Sequence, residues 1–416
     1  MLKNKIAIIV DGFRIAACYA PRLIARGYDC VHVQSSTRFT SETLASYNAQ
    51  NYLKNIINYN NDIDAIIEQL KPYANIEFVI AGIESGVELT TAISEKLHLP
   101  GNSTKYCEAF RDKYLMNKVI AAAGLRTAKQ ILSNDINEIL LWIRNECTFP
   151  VVVKPTKSAA TELVTISYNE KEVEQSFAKI IGNYNFLGLK NHEVLVQSFL
   201  RGTEFIVNGI NYAGKHFLSE MWQYNKIINN SGSPLYDRFT LLPYSFEHRE
   251  AFKNYIFQVL DALKMNYGAF HAELILTEEG PVLVEVAARA AGSIYPEIIT
   301  LAIGRNQYDM LLDCYINPEK FVQEYQEPWV IKKNLSAKLF ISYSDGILKS
   351  IDYLDAIKKL PSFHKLDMYI NVGERIHPTI DLIGIPGTVF LLHEDENVVQ
   401  KDYETICELE KTMFVV

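Results

Sequence analysis

The segment 270-FHAELILTEEGPVLVEVAARAAG-292 sets two glutamates, twelve positions apart, inside strands that are otherwise apolar. A turn signal, Glu278-Glu279-Gly280-Pro281, divides a strand over about Ala269 to Leu276 from a second over Val282 to Ala287. Alternation puts His271 and Glu273 on one face of the first strand, and Leu283, Glu285 and Ala287 on one face of the second. Strands this apolar belong inside a sheet, where a carboxylate requires a cation or a proton. Two such carboxylates on adjacent strands, with Arg289 just beyond, suit magnesium and phosphate. Taken alone, the hairpin also fits a solvated surface element or a structural Glu285–Arg289 ion pair.

A chain of 416 residues exceeds one simple core and calls for two or three domains. The net charge of −8, without a run of Lys or Arg, argues against a nucleic-acid partner. Cys18, Cys30, Cys107, Cys147, Cys314 and Cys407 show no CxxC spacing, so neither a zinc site nor a disulfide framework is expected. They read as thiols of a reducing compartment. The opening MLKNKIAIIVDG reads as a first strand rather than a signal peptide, and no run approaches the roughly 18 apolar residues of a membrane span. A cytoplasmic protein without membrane contact is expected.

The chain divides by pattern. Over residues 1–105, strands at Lys5–Val10, Asp29–Gln34 and Ile76–Ala81 alternate with helices, which predicts an α/β domain with a parallel sheet. Ligands in such sheets sit beyond the carboxyl ends of the strands, here the loops 11-DGFR-14 and 82-GIESG-86. Neither is a GxGxxG fingerprint. Residues 106–200 read as a small α+β lid, with the strand 149-FPVVVKP-155 and the loop 156-TKSAATELV-164. Residues 201–416 form a larger α+β unit with a β-rich tail. Within it, 225-NKIINNSGSPLYDRF-239 is expected to be a long loop interrupting the strands.

Three further residues carry chemistry. Lys154 closes a strand of valines, where an ammonium is costly unless it meets an anion or snorkels to water. The hydroxyls of Thr156, Ser158 and Thr161 follow it, and hydroxyls, backbone N–H groups and a lysine together can hold phosphates. Lys113 opens a helix behind Asp112, a candidate cap. Glu204, in 202-GTE-204, follows an apolar strand and could accept from two ribose hydroxyls.

The order is a lysine before a lid, a lysine at a strand end with a small-residue loop, a strand followed by Gly-x-Glu, and then Glu…Glu-x-Ala-x-Arg. This order resembles the ATP-grasp superfamily, ligases that activate a carboxylate with ATP. The resemblance spans essentially the whole chain. The segments 81-AGIESGVELTTAISEKLHLPGN-102, 154-KPTKSAATELV-164 and 361-PSFH-364 … 386-PGTVFLL-392 … 402-DYETICELE-410 are similar to the dipeptide-forming L-amino-acid ligases of the dapdiamide-synthetase type.

The resemblance implies an ATP-grasp fold with an N-terminal parallel-sheet domain, a lid and a larger C-terminal domain. It implies that Lys113 and Lys154 contact ATP phosphates, with Ser158 in the same loop. Glu204 would hold the ribose, and Gln197, Phe199 and Leu200 would border the adenine. Glu273 and Glu285 would bind Mg²⁺, two ions by the family pattern, with Mn²⁺ as a substitute. Arg289 would stabilise the transferred phosphoryl group. Glu84 would sit near the ammonium of the first L-amino acid and Ser158 near its carboxylate. Gly292 and Ser293 would border the second amino acid, and His271 is a candidate base as well as a candidate core histidine. A homodimer is compatible with the family. The implied activity is ATP-dependent joining of two amino acids. Another carboxylate-activating ligase or carboxylase on the same scaffold, or a nucleotide-binding protein without turnover, are the alternatives.

Three features depart from the superfamily pattern. The usually glycine-rich loop after Lys154 carries Ala160 and Leu163 where glycines are favoured, while Glu162 keeps the acidic character expected between them; Ala287 stands where Asn is common, and Ser198 stands where the hinge commonly carries an acid.

Overall fold

A computed structural model describes residues 5–158, 162–185, 188–228, 234–382 and 384–416. The expected contribution of Thr161 and the departure at Ala160 lie outside the described residues.

The first sheet holds the strands Lys5–Val10, Tyr28–Gln34, Lys54–Ile57 and Ile76–Ala81, all parallel, with Lys5–Val10 and Tyr28–Gln34 in the middle. Helices cover both faces, which is why Ile8, Ile9, Val31 and Val33 are fully buried in unbroken apolar runs. The short strand Lys54–Ile57 has no sequence prediction behind it. Both strand-end loops lie where the parallel pattern places them. Asp11, buried and at φ 54°, accepts from Ser35 N at 2.7 Å, from Ser35 Oγ at 2.5 Å and from Ser85 Oγ at 2.6 Å. It thereby ties the two loops together. A Cβ on Gly82 would lie 2.2 Å from the Asp11 carbonyl oxygen, so only glycine lets the second loop pass this close to the first.

The second sheet is antiparallel, in the order Gln130–Ser133, Val194–Ser198, Val151–Lys154, Thr165–Ser167. The amphipathic helices Ile136–Glu146 and Glu170–Ile180, capped by Asp135 and Asn169, pack on it through Ile139, Ile143, Val173 and Ile180.

The third sheet has eight antiparallel strands. Their order is Gly280–Ala287, Gly268–Thr277, Thr203–Tyr212, Lys215–Ile228, Pro234–Leu241, Asn334–Leu339, Gly387–His393 and Phe363–Met368. The main core lies beneath it, where Phe205, Val207, Phe252, Ile256 and Leu274 meet Met116 and Ile120 of the helix Lys113–Ala122. A Cβ on Gly202 would lie 2.0 Å from the Leu276 carbonyl oxygen, which accounts for the glycine of Gly-x-Glu.

Two expectations fail here. Residues 225–239 do not form a long loop: the strands Lys215–Ile228 and Pro234–Leu241 pair from Trp222 opposite Leu241 to Ile228 opposite Pro234, with residues 229–233 outside the described residues. Leu283 does not share the face of Glu285. Glu273 pairs with Glu285 and Leu274 with Leu283, so Val284 is an extra residue, a β-bulge, and the alternation inverts across it. Leu283 therefore joins Leu274 in the core, while Glu285 and Ala287 face the same side as Glu273 and His271.

Among the described residues no helix is long and apolar enough to cross a membrane.

Candidate active site

The register sets Glu273 directly opposite Glu285. Both side chains are about a quarter exposed, at 23 %, at the edge of the open sheet face. Glu285 Oε2 lies 2.6 Å from Lys113 Nζ, and Glu273 Oε1 lies 3.6 Å from His271 Nε2. Burial pushes the Glu285 carboxyl up, but Lys113, Lys154 and Arg289 outweigh it and hold the carboxyl below its ordinary range. Among the described residues no group of three or more His, Cys, Asp or Glu side chains gathers as a metal cage. Two facing carboxylates nonetheless fit Mg²⁺, which takes one or two protein carboxylates and completes its shell with water and phosphate oxygens.

Lys113 begins its helix because Asp112 caps it, accepting from Tyr114 N at 3.0 Å and Leu115 N at 2.9 Å. The buried ammonium donates to the Ser158 carbonyl oxygen at 3.1 Å, so it ties the loop after Lys154 to the carboxylate pair. Burial lowers the Lys113 pKa, and Glu285 foremost reverses this to a net rise. Lys154 behaves in the opposite way. It is buried at the end of Val151–Lys154 and has no ion pair with a described residue. Burial and the nearby Lys113 charge pull its pKa down to about 8, against the pull of Glu285, Glu273 and Glu204. A buried cation without an ion-pair partner among the described residues is what an incoming anion would satisfy. Ser158 itself is buried, and its carbonyl oxygen accepts from Lys113.

Glu204 lies on the same face as Glu273, since Ile206 pairs with Glu273 and Glu204 with Ile275. Lys226 and Tyr236, from the hairpin expected to be a loop, converge on its two oxygens. The Lys226 ammonium pairs with one, and the Tyr236 hydroxyl donates to the other at 2.8 Å. Burial pushes the Glu204 carboxyl up, opposed by Lys226 and reinforced by Glu273. The buried Gln197 donates to Gln130 Oε1 at 3.1 Å. Phe199 and Leu200 lie in the segment joining the second sheet to the third.

On the other side, Arg289 Nε donates to Glu84 Oε2 at 3.0 Å, joining the third sheet to the loop 82–86 of the first. The partner of Arg289 is thus Glu84, not Glu285. Arg111 holds the second oxygen of Glu84 at 3.5 Å. His271 is a buried histidine in a polar chain: Nδ1 meets Asn208 Oδ1 at 2.8 Å, and Asn208 Nδ2 donates to Glu220 Oε1 at 2.8 Å. Ser293 lines a cavity on this face. A Cβ on Gly292 would meet nothing within 4 Å, so no close approach requires glycine there.

The structure therefore gathers Lys113, Glu273, Glu285 and His271 into one contact network and sets Lys154 and Glu204 within its electrostatic reach. Arg289 and Glu84 stand together beside it. Lys226, Tyr236, Asn208, Glu220 and Arg111 are additions that the sequence did not single out. The pairing of Leu235, Phe239 and Leu241 at alternate positions was the available signal for the strand that carries Tyr236.

The ATP-grasp domain family matches residues 147–297. Dapdiamide A synthase from Enterobacter agglomerans is 31% identical over 426 aligned residues, covering 100% of this chain and 98% of that protein. Among solved structures, the L-amino acid ligase from Bacillus licheniformis superposes with a TM-score of 0.77 over 98% of both chains at 18% identity. Phosphoribosylglycinamide synthetase from Anaerococcus prevotii gives 0.66, over 97% of this chain and 98% of that one, also at 18%. The structural matches report the fold, and the full-length sequence relative narrows it. The chain belongs to the ATP-grasp superfamily, to its L-amino-acid ligase and dapdiamide-synthetase-like family, and is an enzyme of the carbon–nitrogen ligase type.

Proposed function

We propose that this enzyme joins two L-amino acids into a dipeptide, consuming ATP and releasing ADP and phosphate through an aminoacyl-phosphate intermediate. The observation that carries this reading is the juxtaposition of a phosphate-type site with an amino-acid-type site. Two facing glutamates and two buried lysines lie beside an Arg289–Glu84 pair. An α-amino acid presents both an ammonium and a carboxylate, the two charges that Glu84 and Arg289 can receive.

Glu273 and Glu285 would hold Mg²⁺, which when bound neutralises charge on the phosphate oxygens. Lys154 from the second sheet and Lys113 from the helix beside the third sheet would grip those oxygens, and Glu204 would accept from the ribose hydroxyls. The carboxylate of the first amino acid, held by Arg289, attacks the γ-phosphorus and ADP departs. The amine of the second amino acid then attacks the acyl carbon and phosphate leaves. Little covalent work falls to the protein: its residues position the groups and stabilise spread negative charge. The intermediate must be shielded from water, which the second sheet can do by closing over the third.

The test is ADP release measured over twenty amino acids singly and in pairs, with mass detection of products, for wild type and Glu285→Gln. Dipeptide formation in wild type and its loss in the variant are expected. ADP release that requires bicarbonate or formate instead would assign the scaffold to a different carboxylate. A wild type that binds ATP yet matches Glu285→Gln in releasing no ADP would defeat the ligase reading.

A further inference from the structure

Two hydrogen bonds hold the Arg289 guanidinium. Nε donates to Glu84 Oε2 at 3.0 Å, and Nη1 donates to the carbonyl oxygen of Ala290 at 2.9 Å. On the proposed function an entering amino acid takes over Glu84. That leaves the Ala290 carbonyl as the hold of the guanidinium on the protein.

This carbonyl belongs to the peptide group between Ala290 and Ala291. The N–H of the same group, on the opposite edge of a plane that resists twisting, donates to Gln307 Oε1 at 2.8 Å. Gln307 is buried, and its amide nitrogen donates onward to the carbonyl oxygens of Phe270 at 2.7 Å and Gly209 at 3.0 Å, which pair on neighbouring strands of the third sheet. Both N–H donors and the oxygen of the carboxamide are thus engaged, and one orientation alone satisfies all three partners. Tyr308, the next residue, holds the following peptide: its hydroxyl donates to the Ala291 carbonyl oxygen at 2.9 Å. Both residues open the helix Gln307–Ile316, whose start is fixed by the buried Asn306, accepting from Asp309 N at 2.9 Å. Asp309 in turn pairs with Arg22 at 3.4 Å and Arg26 at 2.8 Å. The helix is therefore anchored both to the third sheet and to the first domain, which carries Glu84.

Stapling a helix to a sheet accounts for the two donors of Gln307. It does not account for the third bond, which runs to the peptide group that Arg289 grips. We propose that Gln307 is a positioning residue for Arg289, acting through the Ala290–Ala291 peptide, with Tyr308 in support. The inference rests on the ligase reading, in which Arg289 binds the carboxylate and the transferred phosphoryl group. Hydrogen bonds in series polarise one another, so the bond on the N–H edge also strengthens the carbonyl that faces Arg289. Without Gln307 the peptide is free to rotate about its flanking single bonds. Misplacing a positioning group by about 1 Å costs on the order of a hundredfold in rate.

The experiment is a double-mutant cycle in kcat, run with the amino-acid pair identified by ADP release. Gln307→Met, which keeps the length of the side chain and removes its amide, should lower kcat by about ten- to a hundredfold, with KM for ATP within about twofold of wild type. Introduced into Arg289→Met, the same substitution should change kcat by less than about twofold, because its action runs through the guanidinium. A kcat for Gln307→Met close to that of wild type, an equal loss in both backgrounds, or a rise in KM for ATP that matches the fall in kcat would overturn the inference and leave the ligase reading standing. Where Gln307→Met does not fold, Tyr308→Phe, which removes one hydroxyl, takes its place in the cycle. A loss of at least about threefold that vanishes beside Arg289→Met is then expected, and an unchanged kcat or an additive loss counts against the proposal. A wild type that releases no ADP with any amino-acid pair would defeat the ligase reading itself.

Discussion

Arg289 and Glu84 meet at 3.0 Å across the junction of the first and third sheets, and Arg111 holds the other oxygen of Glu84. Without substrate, each charge of the pair satisfies the other. A zwitterionic amino acid entering between them would replace one ion pair by two, ammonium to Glu84 and carboxylate to Arg289. On the proposed function, the pair would act as a placeholder that keeps both groups oriented until the amino acid arrives.

Removing the arginine separates its two candidate roles. Arg289→Met should lower kcat by about a hundred- to a thousandfold, the range for losing one donor to a transition-state oxyanion. ATP affinity, read by calorimetry with a non-hydrolysable analogue, should change only slightly. Comparable losses in both quantities would assign Arg289 a structural role.

Lys154 ties stability to function with opposite sign. Its folded pKa of about 8 lies below the ordinary lysine value of about 10.4, so the folded state disfavours its charge. That penalty is fully present below pH 8 and is relieved as pH rises from 8 towards 10.4, where the unfolded chain binds the extra proton. Lys154→Met should therefore melt at a higher temperature than wild type at pH 7, by an amount worth on the order of 2–3 kcal/mol, while turnover collapses. The gap in Tm should shrink between pH 8 and 10. A lower Tm for the variant at pH 7 would contradict the assigned burial penalty.

Glu204 should respond to acid. Its raised carboxyl pKa is restrained by Lys226, and if Glu204 holds the ribose as proposed, only its ionised form would accept from both hydroxyls. Nucleotide affinity should fall as pH drops through that pKa, and in Lys226→Met the fall should begin at a higher pH. Superimposable pH profiles of nucleotide binding for the two proteins would refute the coupling.

Lys338 offers a control that makes no contact with the candidate site residues. It is fully buried between Asp237 at 2.8 Å and Glu410 at 2.9 Å, and burial, which lowers its pKa, is outweighed by the two carboxylates. Lys338→Met leaves two buried acids facing each other and should cost about 3–5 kcal/mol in urea unfolding. At temperatures where the variant stays folded, its KM for ATP should match wild type. An undiminished unfolding midpoint would show that the cluster does not hold the C-terminal helix Glu396–Glu410 to the sheet.

Much of this arrangement could be read from the chain because the informative residues were expensive ones. Lysines and glutamates inside runs of valine, leucine and alanine, such as Lys154 and Glu285, point to a ligand wherever the strands lie. The hairpin carrying Lys226 and Tyr236 escaped notice for two reasons. The Asn, Gly, Ser and Pro residues of 229–234 read as a loop signal and drew the flanking strands into it. Asp237 also broke the apolar alternation of Leu235, Phe239 and Leu241, and its partner Lys338 lies 101 residues away, beyond any local pattern. Glu220 was hidden similarly: a glutamate in 214-GKHFLSEM-221 looks solvated until the sheet closes over it.

The bulge at Val284 has a mechanical consequence. Because the strand changes sides within two residues, one short segment is both ballast and instrument: Leu283 anchors it and Glu285 is aimed from it. The turn at Glu278-Glu279 could lengthen without disturbing either, since it lies outside the paired region. Deleting Val284, by contrast, would not shorten the hairpin so much as rotate it, sending either the leucine outward or the glutamate into hydrocarbon. The tolerance of this hairpin to insertion and deletion should therefore be lopsided, permissive at its tip and unforgiving at one residue beside the carboxylates.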